Sequence, residues 1–244
     1  MVWLAKPYPG RPGYGPRTQA WFLKPDGSRD PLPGIVALHG HDGVKFFGKE
    51  KIAESDRYNA AARWHEHLVA KYCTLLGTTL AGVVSFEDRV AVQYLLSRSD
   101  VRPGLCGCIG LSGGGCRAAL LQATSDEIGA AVIVGMMATQ PELLDRHVEP
   151  HTWMFFPAGL ARIADWPELA ASRAPSPLLI QYDRDDQLFP IQGMQAAHAR
   201  IAAHYERCGQ PNRYSGRFYD GPHKFDRTMQ KEAFTWLRET MNDK

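Results

Sequence analysis

The chain has no apolar run of the roughly 18 residues that a membrane span takes, and its first stretch, MVWLAKPYPGRPGYG, carries proline and glycine where an export signal would carry its apolar segment. No membrane partner is expected, and the chain reads as a cytoplasmic protein. Lysine and arginine are scattered without forming a run, and the net charge is only +2, which gives no reason to expect nucleic acid. The five cysteines (Cys73, Cys106, Cys108, Cys116, Cys208) are odd in number and show no CxxC spacing. That excludes a disulfide framework and a zinc ribbon, and the five read as reduced, mostly buried thiols. There is no internal repeat, low-complexity linker or composition break, so residues 1–244 are expected to form one domain.

What is present is a chain of 244 residues, 44% apolar, long enough for one sizeable core. Residues 1–17 are rich in proline and glycine and are expected to be extended. TQAWFLKP then reads as a strand and GIVALHG as a buried strand ending at Gly40. A helix is predicted over Tyr58 to Gly77 and another from Ser85 through Ser97. Further strands are predicted at 104–112, 130–136, 177–183 and 214–220, with helices between them and after the last. Short, unalternating apolar strands separated by helices imply an α/β fold, with a mostly parallel sheet covered on both faces. In such sheets the ligand lies beyond the carboxyl ends of the strands, so the residues just after each strand are the ones to read for chemistry.

One of those strand ends is CIGLSGGGCRAALL, Cys108 to Leu121. Gly110 and Gly114 stand two residues either side of Ser112, a GxSxG pattern between a strand and a helix. Only small neighbours permit a turn sharp enough to project a serine hydroxyl above the sheet. A phosphate cradle would also use glycines here, but it would need a GK[ST] ending, and Cys116-Arg117 does not supply one.

Serine is a weak nucleophile and needs a base, which in turn needs an orienting acid. The strand end DRDDQLFP offers Asp183, Asp185 and Asp186, and the strand end GPHKFD offers His223. The order Ser, Asp, His along the chain is the one used with GxSxG. An oxyanion would be held by backbone N–H groups, one directly after the nucleophile and one after an earlier strand; here these are Gly113 and His41. The HEH triplet at 65–67 lies on a predicted helix, where residues two apart face different ways, so it is not read as a metal pair.

On the stretches LHGHDG, GCIGLSGGG, YDRDDQLFP and GPHKFD, the chain resembles α/β-hydrolase-fold esterases of the dienelactone hydrolase-like and acetyl xylan esterase-like kind, from about Trp21 to the C-terminus. The resemblance implies Ser112 as nucleophile, His223 as base and an aspartate of the DRDD turn as acid. Such proteins commonly place the acid four residues before the proline, which selects Asp186 over Asp185. The implied activity is hydrolysis of a small or medium carboxylic ester through an acyl-enzyme, with no cofactor and no metal. Prototype dienelactone hydrolases use cysteine as the nucleophile; the serine here points instead to a simple ester. Relatives also carry a strand where residues 44–60 show none, so one strand is expected to be missing, with TQAWFLKP pairing directly with IVALHG.

Residues 138–176 form a long, aromatic-rich connection expected to cap or line the site. Trp153, Phe155 and Phe156, together with Met136, are the candidate substrate-binding residues, and Trp166 and Met137 stand beside them. Packing of the same aromatics onto the sheet is the competing reading. Two other functions fit the motif order: a serine peptidase of the prolyl-peptidase type, and a non-catalytic hydrolase-fold binding module. The expected partner is a small-molecule ester, and a homodimer is left open.

Overall fold

The computed structural model describes residues 2–4, 19–24, 27–28, 30–39, 56–144 and 146–242. Its centre is a five-stranded, fully parallel sheet of β3 (Ile35–Leu38), β4 (Cys106–Leu111), β5 (Ile128–Val134), β6 (Leu178–Asp183) and β7 (Tyr214–Tyr219), laid side by side in that order. The middle strands are apolar on both faces because both faces are covered. Every residue of β5, IGAAVIV, is buried, and so is every residue of β6.

Six helices complete the described fold: α1 (Asp56–Leu75), α2 (Leu80–Leu96), α3 (Gly113–Thr124), α4 (Trp166–Ala171), α5 (Ile191–Arg207) and α6 (Arg227–Asn242). The two faces can be read from alternate residues of the strands. Cys108, Ala131, Ile133 and Ile180 pack with α3, α4 and α5 in one core, while Ile109, Val132, Val134 and Leu179 pack with α6 in the other. On α6, Met229, Ala233, Leu237 and Met241 recur every four residues, which lays one apolar stripe along the sheet. Residue 88, an aspartate that α2 buries, is neutralised by the two-pronged guanidinium of Arg117 on α3.

β2 (Gln19–Trp21) does not pair with β3, contrary to the expectation for TQAWFLKP. It pairs antiparallel with β1 (Val2–Leu4) in a separate two-stranded sheet. The strand expected to be missing falls mostly on residues 41–55, outside the described residues; from residue 56 the chain is already in α1. Among the described residues no single helix is long and apolar enough to cross a membrane; the pair α1 and α2 reaches that length only when its two halves, bent by 92°, are taken together.

The connection between β5 and β6 contains three 3₁₀ turns and α4. It is tied down at both ends. Asp165 caps α4 in a reciprocal capping box with Glu168, accepts the N–H of Gln140, and with Glu168 is gripped by Arg200 of α5.

Candidate active site

Ser112 sits between β4 and α3 with φ 56° and ψ −119°, the one positive φ of a non-glycine residue among those described. A side chain pays for that conformation, and it persists only where the surroundings enforce it. They do so by close approach of backbone. A Cβ on Gly110 would lie 2.0 Å from the carbonyl oxygen of Gly114, and a Cβ on Gly114 would lie 2.1 Å from that of Leu38. The glycines around the serine therefore let β3, β4 and the first turn of α3 pass within backbone contact. The Ser112 hydroxyl makes no capping bond to the helix it precedes. Gly113 is the first residue of α3, and its N–H belongs to the unpaired set at a helix start.

His223 lies on the loop after β7. Its Nδ1 stands 2.6 Å from Oδ2 of Asp186, on the loop after β6. An ionised carboxylate only accepts, so Nδ1 carries the hydrogen and Nε2 keeps its lone pair. Asp186 is itself held, its Oδ1 accepting the N–H of Leu188 at 2.8 Å. Burial alone would depress the basicity of His223, but the Asp186 bond and the charges of Asp186 and Asp183 outweigh it, and the net effect is a raised pKa. Ser112 and His223 both gather at the end of β5: the Ser112 N–H donates to the carbonyl of Val134 at 2.8 Å, and a Cβ on Gly135 would meet Cε1 of His223 at 3.1 Å. Among the described residues no hydrogen bond joins the Ser112 hydroxyl to His223; in unliganded sites this contact is commonly long and closes when substrate binds.

The other two carboxylates of the turn do different things. Asp185 accepts the N–H of Gly221 and joins the two loops. Asp183 is fully buried and accepts the N–H of Lys224 at 3.0 Å. His41, expected to give the second oxyanion donor, lies outside the described residues.

A small cleft of about 50 Å³ opens beside Ser112, lined by Ser112, Gly113, Cys116, His151, Phe155 and Leu188 among others. Of the four residues expected to bind substrate, Phe155 is in this lining. Met136 is buried against Gly115 beneath the turn. Phe156 packs on the main core. Trp153 is 46% exposed and donates its indole N–H to Nδ1 of His67. Trp166 is fully buried, stacked on Phe155 at 4.8 Å with the ring planes 7° apart. The competing reading, aromatics packed onto the fold, therefore describes Phe156 and Trp166. A larger hollow of about 320 Å³ between α2 and the α3–β5 turn is lined by Phe86, Arg89, Gln93, Thr124, Ser125 and Glu127 among others; no histidine is in its lining to activate those hydroxyls, so size does not mark the site.

His151 is the residue that sequence reasoning missed. It lines the cleft, lies tilted between the rings of Phe155 and Phe189, and donates Nε2–H to the carbonyl of Leu188 at 3.2 Å. Burial pushes its pKa down to about 4, which keeps it neutral at ordinary pH. It sits inside the long connection rather than at a strand end, so nothing in its spacing singled it out. The HEH triplet has a use of its own: Glu66 is buried and accepts the hydroxyl of Thr152 and the N–H of Trp153, fastening the connection to α1.

Cys116, in the cleft lining, is no rival nucleophile. Burial raises its pKa far above the usual thiol range.

No family model matches the chain. Among solved structures, a protein of Bacteroides fragilis provisionally assigned as an acetyl xylan esterase superposes with a TM-score of 0.67 at 14% identity, over 98% of this chain and 78% of that one. The methylesterase BT1017 gives 0.60 at 17% identity over 88% of this chain and 50% of that one.

The chain has the α/β-hydrolase fold.

A glucuronoyl esterase of Solibacter usitatus also matches, with a TM-score of 0.54 at 15% identity over 64% of this chain. The chain spans about half the length of this esterase and of the glucuronoyl esterase of Caldicellulosiruptor kristjansonii. In sequence, YtaP of Bacillus subtilis (strain 168), provisionally named a hydrolase, is 24% identical over 81% of this chain and 75% of its own length. Within the α/β-hydrolase fold, the turn after β4, the loop after β6 and the loop after β7 are where Ser112, Asp186 and His223 stand.

Proposed function

We propose that the chain is a serine carboxylic-ester hydrolase that works through an acyl-enzyme on a small or medium ester. The observation that carries this reading is the bond between His223 and Asp186, which leaves Nε2 of His223 as a free base at the strand end where Ser112 is held on its strained turn. The esterases named among the structural neighbours support it at the level of the fold.

In the proposed reaction His223 takes the Ser112 proton as the hydroxyl oxygen bonds to the ester carbonyl carbon. The carbonyl electron pair moves onto oxygen, where the N–H groups of Gly113 and His41 receive it. The tetrahedral centre collapses and the C–O bond to the alcohol breaks. The alcohol leaves with the proton that His223 returns. Water repeats the sequence on the acyl-enzyme and releases the acid. Asp186 steadies the imidazolium throughout. The cleft beside Ser112, walled by Phe155 and Leu188, would take one half of the ester, and the connection over 138–176 would cap it.

The test is hydrolysis of a nitrophenyl ester by the wild-type protein and by Ser112→Ala. The reading expects kcat to fall by at least ~10³-fold with the melting temperature retained. Alanine tolerates the φ of 56° no worse than serine does, so an unfolded variant is not expected. Equal turnover by both proteins would remove Ser112 from the mechanism.

A further inference from the structure

We propose that Asp183 is a positioning residue of this site: its buried carboxyl anchors the loop that carries His223, and its charge sets the pH at which that histidine becomes a base. The inference rests on the reading of His223 as the base.

Asp183 is the last residue of β6 and is fully buried. Its two oxygens have different surroundings. Oδ2 accepts the N–H of Lys224, the residue directly after His223, at 3.0 Å. Oδ1 is buried with no hydrogen-bond partner among the described residues. One ligand atom each from Asp183, Asp186 and His223 lie within 4.8 Å of one another. A bare carboxylate oxygen in a dry site is costly, and the inexpensive remedy is a proton on it. Burial raises the Asp183 pKa, the Lys224 N–H bond works against it, the charge of Asp186 adds to the rise and the charges of His223 and Lys224 oppose it; the net value is about 6.

The Lys224 bond needs only an acceptor, so it survives in either protonation state. The charge does not. When ionised, Asp183 becomes a second anion beside the imidazole, in addition to Asp186, and favours the imidazolium. The groups that face this cluster are few. Asp186 comes from the same loop, and His223 and Lys224 come from the loop after β7, with the Lys224 ammonium paired to Asp226 at 3.0 Å. From the long connection, His151 and behind it His147 complete the set, and His151 is neutral above a pH of about 4. Among the described residues the Lys224 ammonium and the His223 imidazolium are the cations that act on Asp183, and burial outweighs the lowering effect of both. The cost of the arrangement is that His223 holds its proton to higher pH; the return is that its loop is pinned by one residue next door.

Asp183→Asn separates the two roles, because an amide oxygen still accepts from Lys224 while the charge is gone. The acid limb of the kcat/KM profile on nitrophenyl acetate is expected to move to lower pH by about half a unit or more. The plateau should stay within about threefold. The His223 ring resonances should titrate lower by the same amount. Asp183→Ala, which also removes the acceptor, is expected to lower the plateau by about tenfold or more. An unchanged His223 titration in Asp183→Asn would overturn the proposal. That readout needs no turnover: if the wild-type protein hydrolyses nothing, a lowered His223 titration still upholds this inference while the function fails. Should the variant not fold, the Asp183 carboxyl carbon and the His223 ring of the wild-type protein are followed together by NMR. A His223 signal that also shifts over the pH range in which Asp183 ionises supports the proposal, and a His223 signal indifferent to that range overturns it.

Discussion

The carboxylate of Asp186 and the imidazole of His223 meet at 2.6 Å with very different exposure: the acid side chain is 1% accessible and the histidine 24%. The pair is thus oriented from inside and open on one side, as a base that must reach a substrate has to be. Asp186→Asn keeps the shape but offers an amide that can donate, which favours the wrong tautomer of His223. Its kcat is expected to fall about 10³ to 10⁴-fold with little change in stability. A fall of less than tenfold would mean that the bond orients nothing.

Gly110 and Gly114 are fixed by contact rather than by freedom of φ. Gly114→Ala would place a methyl 2.1 Å from the carbonyl of Leu38, and neither partner is a side chain that can swing away. A loss of about 3 kcal/mol or more in denaturant unfolding is expected, or failure to fold. The control is Gly209→Ala, which meets nothing within 4 Å and carries only the strain of φ 67°. About 1 kcal/mol is expected there. Equal losses at both positions would refute the close-approach explanation.

His151 gives the fold an acid-sensitive element. Its folded pKa of about 4 lies below the ordinary 6.5, so the unfolded chain binds the proton first. Its contribution is therefore complete above 6.5 and is lost as pH falls toward 4, by roughly 3 kcal/mol in all. His151→Phe keeps the aromatic packing and removes the proton site. The drop in melting temperature between pH 7 and pH 5 should be smaller in the variant than in the wild type; an identical drop would place the acid sensitivity elsewhere.

Glu66 tests whether the long connection shapes the cleft. Glu66→Leu leaves the Thr152 hydroxyl and the Trp153 N–H without their acceptor. A cost of about 1 to 3 kcal/mol is expected. Thr152 also lines the cleft, so KM for a nitrophenyl ester should rise more than kcat falls. A fall in kcat with KM untouched would argue against it.

The parts of this site that were legible in the sequence are those where chemistry sits at a strand end. Ser112 was marked by glycines whose need is steric, and the structure shows which backbone atoms they clear. Continuous apolar runs gave β4, β5 and β6 because burial on both faces removes alternation. The pairing of β2 was not legible, since three residues carry no register information of their own. Neither was His151, whose place beside Ser112 depends on how a long irregular connection folds back over the sheet. The turn DRDD offered three carboxylates of one type, and only the fold gives each its own partner: Lys224 N–H for Asp183, Gly221 N–H for Asp185, the imidazole for Asp186.

The most direct test of the central claim is labelling of the folded protein with a fluorophosphonate probe, with the modified residue read by mass spectrometry. A single adduct on Ser112, abolished in His223→Ala, is the predicted result. No adduct in a folded sample, or an adduct on another residue with Ser112 unmodified, would contradict the account.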